Sequence, residues 1–274
     1  LRGRIDGPAD AGEKASRQKP AQHGSAFPGV TPARILTIAG SDCSGGAGLQ
    51  ADLKTITLLG GYGMSAITAI TAQNTCGVYA VEALSPALVR AQIDACVADI
   101  GVDAVKIGML GSAGVAHAVA DALEAIDAPV VFDPVMIATS GGILADAETI
   151  AAFGRLMARA TLTTPNLPEL EALGGEAAVL AMTPALLVKG GHGDGATLID
   201  RLIVGGDAQV WSSPRIDTRH THGTGCTLAS AIACGLGQGM GLAQAVARGR
   251  EFVRAGLLAA PGFGAGHGPM GLYA

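Results

Sequence analysis

Aromatic residues are scarce: Phe, Tyr and Trp together number nine among 274 residues. A module that recognises ligands by stacking rings would need more of them. A basic excess is also missing, because 18 Lys and Arg face 23 Asp and Glu for a net charge of −5. That balance argues against a nucleic-acid partner, which calls for a net basic face or cluster. Cysteine pairing signals are absent too. The five cysteines (Cys43, Cys76, Cys96, Cys226, Cys234) are odd in number and scattered, with no CxxC and no His at ligand spacing. A disulfide framework and a structural zinc site are therefore excluded, and a reducing, cytoplasmic setting is expected. Unbroken hydrophobic runs are lacking as well. Thr55–Val81 and Leu228–Val246 carry no charge, but glycines interrupt both, so turns between buried elements are expected and no membrane span. Residues 1–33 hold no apolar run and no helical period, which excludes a signal peptide and predicts a disordered N-terminal extension.

Glycine, by contrast, is abundant at 41 residues, and hydrophobic residues reach 49% against 15% charged. Such a chain folds, and it suits an enzyme of glycine loops and small-residue packing. From Arg34 onward, short apolar runs alternate with helical periods. Strands are predicted at 34–39, 63–71, 104–109, 129–133, 162–164 and 186–189, with a hairpin of 196–203 and 208–211 around Gly205-Gly206. Helices are predicted between them, one opened by Ser85 as N-cap with Pro86 behind it, and two more at 225–234 and 242–259. Strands separated by helix-length segments imply a mostly parallel α/β sheet with helices on both faces, formed by one domain over 34–274. Ligands of such sheets bind beyond the carboxyl ends of the strands, where the glycine and polar clusters of this chain recur.

Each cluster carries chemistry beside a plainer alternative. His222-Gly-Thr-Gly-Cys-Thr227 runs directly into a helix, so its backbone amides and the helix dipole form a candidate site for a phosphate under transfer. Cys226 at that helix start is expected to have a lowered thiol pKa and to be able to take a proton from an attacking hydroxyl. A capping turn with a small buried thiol is the alternative. Gly40–Gly48 also joins a strand to a helix but matches neither GxGxxG nor GxxxxGK[ST]. Asn166-Leu-Pro-Glu169 puts a carboxylate in a first helical turn, where it caps the helix or orders water around Mg²⁺; Asp133, ending an apolar strand, is a second candidate for that cation. Lys189 at a strand end suits nucleotide phosphates. Gln73-Asn74 offers paired amides for a heteroaromatic edge, or a turn. His192, His220, His222 and His267 read as loop histidines.

Taken in order, Ile38–Lys54, Ala72-Gln-Asn-Thr75, Lys106-Ile-Gly-Met-Leu110, Asp133-Pro-Val-Met136, Thr164–Glu169, Lys189-Gly-Gly-His192, Thr221–Thr227 and Gly266-His-Gly-Pro269 resemble the hydroxymethylpyrimidine/phosphomethylpyrimidine kinases of thiamine synthesis. The resemblance spans about 34–270. It implies a ribokinase-like three-layer α/β fold and two ATP-dependent steps: phosphorylation of 4-amino-5-hydroxymethyl-2-methylpyrimidine, then of its monophosphate. By motif position it implies Gln73 on the pyrimidine, with Gly40, Met109 and Val135 around it and Asp52 lining the site. It places Cys226 as the active-site cysteine and Gly223, Thr224 and Gly225 as an anion hole. Lys189, Asn166 and Thr164 fall on the ATP side, with Glu169 and Asp133 toward Mg²⁺. A homodimer is the family default. Most sugar kinases of the superfamily carry Asp where this chain has Cys226, and a neutral thiol would repel an already phosphorylated substrate less. Two departures stand out. Gly174–Ala185 is abbreviated, which questions one peripheral helix, and Thr139 stands where some relatives place Lys. A pyridoxal or pyridoxine kinase, or a non-catalytic ligand-binding relative, are the competing functions.

Overall fold

A computed structural model describes residues 31–138, 141–142, 144–192 and 195–273. Thr139 and the extension up to residue 30 lie outside that description. The first strand, β1 (Arg34–Asp42), is buried on both faces, as its continuous apolar run demands of a central parallel strand. It is followed by α1 (Gly48–Leu58), β2 (Tyr62–Asn74), β3 (Gly77–Ala83), α2 (Pro86–Asp99), β4 (Ala104–Ile107), α3 (Ala113–Leu123) and β5 (Val130–Phe132). Then come α4 (Ala147–Arg159), β6 (Leu162–Thr163), α5 (Leu167–Ala172), α6 (Glu176–Leu180), β7 (Ala185–Val188), β8 (Thr197–Val204), β9 (Asp207–Pro214), α7 (Thr224–Gly237) and α8 (Leu242–Leu258).

The strands form one sheet in the order β3-β2-β1-β4-β5-β6-β7-β8-β9. The six from β2 to β7 run parallel, whereas β3, β8 and β9 attach antiparallel at the two edges. After β1 the chain moves to one side for β2 and β3, then returns past β1 to place β4 on its other side. Alternate residues of the strands feed two cores. Leu36, Ile38, Val105, Ile107, Phe132 and Leu186 face α2, α3 and α4, where Phe132 meets Phe153 edge-on at 5.2 Å. Ile35, Ala104, Val131 and Leu187 face Ile56 of α1, Leu228 and Ile232 of α7, and Val246 of α8.

Local signals act where they were expected. Ser85 Oγ accepts from the Leu88 amide with Pro86 behind it, and Gly205 and Gly206 both take positive φ in the β8–β9 turn. Two elements differ from expectation. The second strand does not stop at Thr71 but continues to Asn74 and folds back as β3, an unforeseen edge strand whose residues are mostly exposed. The abbreviated segment keeps a helix, the five-residue α6, which buries Val179 under the sheet.

Candidate active site

A cavity of about 830 Å³ opens at the carboxyl ends of the parallel strands, on either side of the point where the strand order reverses. It gathers Gly40 from β1, Gln73 from β2, Met109 after β4, Asp133 and Val135 after β5, Asn166 and Glu169 at the start of α5, and Lys189 after β7. Gly223, Thr224, Gly225 and Cys226 close it from the α7 side. Two residues expected there are not in its wall. Thr164 is fully buried behind it and donates from Oγ1 to Asp133 Oδ1 (3.1 Å). Asp52 is fully buried beneath it, for a reason given below.

The turn into α7 is made possible by glycine. Gly223 precedes α7 with φ of +83°, and a Cβ there would stand 2.0 Å from Gly46 O, so the two glycine loops touch backbone to backbone. Helix α7 begins without a side-chain cap; Thr224 N turns back to Thr221 O (3.3 Å), and the Gly225 and Cys226 amides are left without a hydrogen-bond partner among the described residues. Gly223→Ala is accordingly expected to lower kcat at least about tenfold, since both φ and the Gly46 contact must give way. Turnover within twofold of wild type in a steady-state assay would contradict that packing.

A carboxylate overlooked in the sequence holds the loops in register. Asp42 Oδ1 accepts from Ser44 N and Oγ, and Oδ2 accepts from Ala47 N and lies 2.8 Å from His222 Nε2. Burial would raise this carboxyl, but its bonds with His222 and Ser44 outweigh that and bring it down to about 2. His222 is therefore not a loop histidine. It is buried, and its amide donates to Gly268 O (3.1 Å). The segment 264–270 is strapped across the rim, with the His267 amide on Thr75 O (2.9 Å) and the Gly266 amide on Thr75 Oγ1 (3.2 Å).

Cys226 faces the cavity that Gln73 and Lys189 also line. Its thiol is not activated as expected. Burial pushes it up to about 11, Lys106 pulls the other way, and Asp52 and Asp133 add to the rise. The helix start does not overcome desolvation beside two carboxylates, so this sulfur is a neutral thiol at pH 7. Below it lies a fully buried ion pair. Lys106 Nζ sits 3.0 and 2.8 Å from the two oxygens of Asp52, which also accept from Thr37 Oγ1 (2.6 Å) and Ser230 Oγ (2.8 Å). Asp52 thus has no oxygen left for a ligand. Burial works against the Lys106 charge, but Asp52, Cys226 and Asp133 hold its pKa above the ordinary lysine value.

On the opposite wall, Lys189 Nζ donates to Asp133 Oδ1 (2.5 Å) and stands 3.8 Å from Glu169 Oε2. Burial opposes its charge too, but Asp133 and Glu169 raise its pKa, while burial and Asp133 keep Glu169 above the usual carboxyl range against the pull of Lys189. Asn166 and Glu169 form a reciprocal capping box at α5, with Asn166 N on Glu169 Oε2 (2.8 Å) and Glu169 N on Asn166 Oδ1 (2.9 Å). Glu169 thus caps the helix, as one of its two expected roles required, and it also lines the cavity. On the wall it shares with Met109, Gly40 leaves room for a side chain only if Met109 shifts, since a Cβ would lie 2.7 Å from Met109 Sδ. Gln73 shares this wall, its backbone carbonyl taking a 3.2 Å bond from Cys43 Sγ. Asn74 does not line the cavity. Its Oδ1 accepts from Cys76 N, Gly77 N and Tyr79 OH and so builds the β2–β3 turn.

Comparison with known proteins places this arrangement. The phosphomethylpyrimidine kinase family model matches residues 42–271. The hydroxymethylpyrimidine/phosphomethylpyrimidine kinase of Streptomyces coelicolor is 47% identical over 257 residues, covering 89% of this chain and 95% of the relative. Among solved structures, the phosphomethylpyrimidine kinase of Clostridium difficile is similar at 39% identity and a TM-score of 0.71, covering 81% of this chain and 98% of its own. The pyridoxal kinase of Bacillus subtilis, solved with ADP, is similar at 32% identity and a TM-score of 0.81, covering 88% and 97%. The three-layer sheet is thus ribokinase-like.

Proposed function

The chain belongs to the phosphomethylpyrimidine kinase family, and from that premise we propose that it carries the γ-phosphoryl group of ATP to the hydroxymethyl group of 4-amino-5-hydroxymethyl-2-methylpyrimidine. A second transfer to the monophosphate then yields the diphosphate used in thiamine diphosphate formation. One observation carries the proposal: the uncapped turn Gly223–Gly225 at the start of α7 faces the same cavity as a wall of Gly40, Gln73, Met109 and Val135 and a charged wall of Lys189, Asp133 and Glu169. Acceptor and donor can meet only where those walls join. There the α7 amides stabilise charge on the phosphoryl group as it moves. Lys189 engages the nucleotide phosphates, and Asn166 fixes the turn that presents Glu169. Cys226, as a neutral thiol, borders the reacting oxygen without adding negative charge.

Asp133 and Glu169 also fit magnesium. Among the described residues no group of three His, Cys, Asp or Glu is gathered for a metal, but Mg²⁺ in phosphoryl-transfer sites takes one or two carboxylates and completes its shell with phosphates and water. Bound there with ATP, the ion would neutralise phosphate charge; the protein contributes the two carboxylates and Lys189 between them. The exposed apolar residues Ile70, Tyr79 and Val81 on the β2–β3 edge support a homodimer that covers them. Among the described residues no helix is long and apolar enough to cross a membrane, and five free cysteines support a reducing, cytoplasmic setting.

A coupled assay of ADP release with hydroxymethylpyrimidine, its monophosphate and pyridoxal tests the proposal. Turnover of the first two is expected. The structural likeness to a pyridoxal kinase favours pyridoxal as the second reading, and turnover of pyridoxal with none of the monophosphate would install it. Gln73→Ala is expected to raise KM for the pyrimidine at least about tenfold and leave KM for ATP within threefold, as the loss of one hydrogen-bonding amide against the ligand predicts. Equal losses for both substrates would remove Gln73 from the acceptor pocket.

A further inference from the structure

Lys189 holds its place in the charged wall although its own strand has already ended. The β7–β8 ladder stops at Val188 opposite Arg201, just before it. Beyond that point the chain is fastened from two sides. On the β6 side, the Lys189 amide donates to Pro165 O (3.0 Å). On the β8 side, the Gly190 amide donates to a side chain, Asp200 Oδ1 (2.9 Å), and the backbone presses so close that a Cβ on Gly190 would run into Ile199 O. A carboxylate takes the place of the missing ladder bond.

Buried as it is, Asp200 needs a counter-charge, and this comes from another layer of the fold. Arg250 of α8 donates from Nε to Asp200 Oδ2 (2.6 Å) and lies 5.7 Å from the centroid of the Trp211 ring, with 14% of its side chain exposed. Both members of the pair border the cavity that Lys189 lines. Helix α8 packs with α7 through Val246, Leu228 and Ile232, so the pair ties the turn behind Lys189 to the helices that present Gly225. The gap across which it acts is narrow: a Cβ on Gly225 would stand 3.4 Å from Lys189 Nζ.

We propose that Asp200 and Arg250 are positioning residues for Lys189. Together they set how far its ammonium stands from the start of α7, and so how tightly the polyphosphate of ATP is gripped between the two. The pair acts through Lys189 without touching the nucleotide. A pair that only fastened the hairpin to α8 would change stability, but its effect on ATP would not depend on Lys189.

This rests on the reading of Lys189 as the lysine that engages nucleotide phosphates, and the test separates the two. With the full chain at saturating pyrimidine alcohol and Mg²⁺, kcat/KM for ATP is measured beside the midpoint of thermal unfolding. Asp200→Ala and Arg250→Ala are each expected to lower kcat/KM for ATP at least about tenfold, the scale on which loss of an outer supporting partner lowers activity. KM for the pyrimidine should stay within threefold, and Arg250→Lys, which keeps a charge on Asp200, should recover most of the loss. In a Lys189→Met background the same two substitutions should cost no more than about twofold further, because nothing is left to position. A loss that persists in full without Lys189, or an Arg250→Ala enzyme that melts earlier yet keeps kcat/KM for ATP within twofold, would overturn the positioning role. A Lys189→Met enzyme that itself keeps wild-type kcat/KM for ATP would instead overturn the reading it rests on.

Discussion

Lys106→Met should lower the free energy of unfolding by about 3–5 kcal/mol, the scale seen when one member of a buried ion pair is removed. The carboxylate of Asp52 would keep Thr37 and Ser230 but lose both contacts from the ammonium, with no water to replace them. The double change Asp52→Asn/Lys106→Met removes both charges and should recover most of the loss, because desolvation of the pair consumes much of its own attraction. Urea unfolding of the three proteins reads this directly. A single variant within about 1 kcal/mol of wild type would show that Asp52 has another source of compensation. Through Ser230, one turn beyond Cys226, the pair also anchors the helix that carries the anion turn.

Cys226→Asp should leave the first phosphorylation measurable and cut the second much further. Unit charges about 8 Å apart at an effective dielectric near 20 repel by about 2 kcal/mol, which is about thirtyfold in rate, and a phosphomonoester dianion feels more. The native thiol, held up near 11, imposes no such penalty. Cys226→Ala, which adds no charge, should lower kcat on either acceptor at least about tenfold while KM for ATP stays within threefold. That pattern marks a group acting at the transfer point instead of in nucleotide binding. Undiminished diphosphate formation by the Asp variant would refute the charge argument, and near-normal turnover of the Ala variant would take Cys226 out of the transfer step.

The sheet was largely legible because its parallel strands are buried on both faces and spell continuous apolar runs, as in Arg34–Ala39 and Leu186–Val188. Helix entrances were legible where a short side chain caps them, as at Ser85. The edge strand β3 was not, because solvent on its exposed residues removes the periodicity that marks a half-buried strand. The cavity wall followed from the rule that ligands sit at strand carboxyl ends. What the sequence could not reveal were the partnerships across the fold. Asp42 and His222 stand 180 positions apart, and Asp52 and Lys106 stand 54 apart. No local pattern reports that such residues share a hydrogen bond. The thiol of Cys226 failed for the same reason: its helix position was readable, but the carboxylates packed around it were not.

The strap over the rim ties catalysis to the order of synthesis. Thr75 and His222 both find backbone partners between residues 264 and 270, so the turn into α7 is clamped only after the last helix, which covers one face of the sheet, has been made. Ribosome-bound chains ending before position 264 would hold every strand and yet lack the clamp on the anion turn, and a proteolytic nick near Phe263 would abolish turnover while leaving the fold standing.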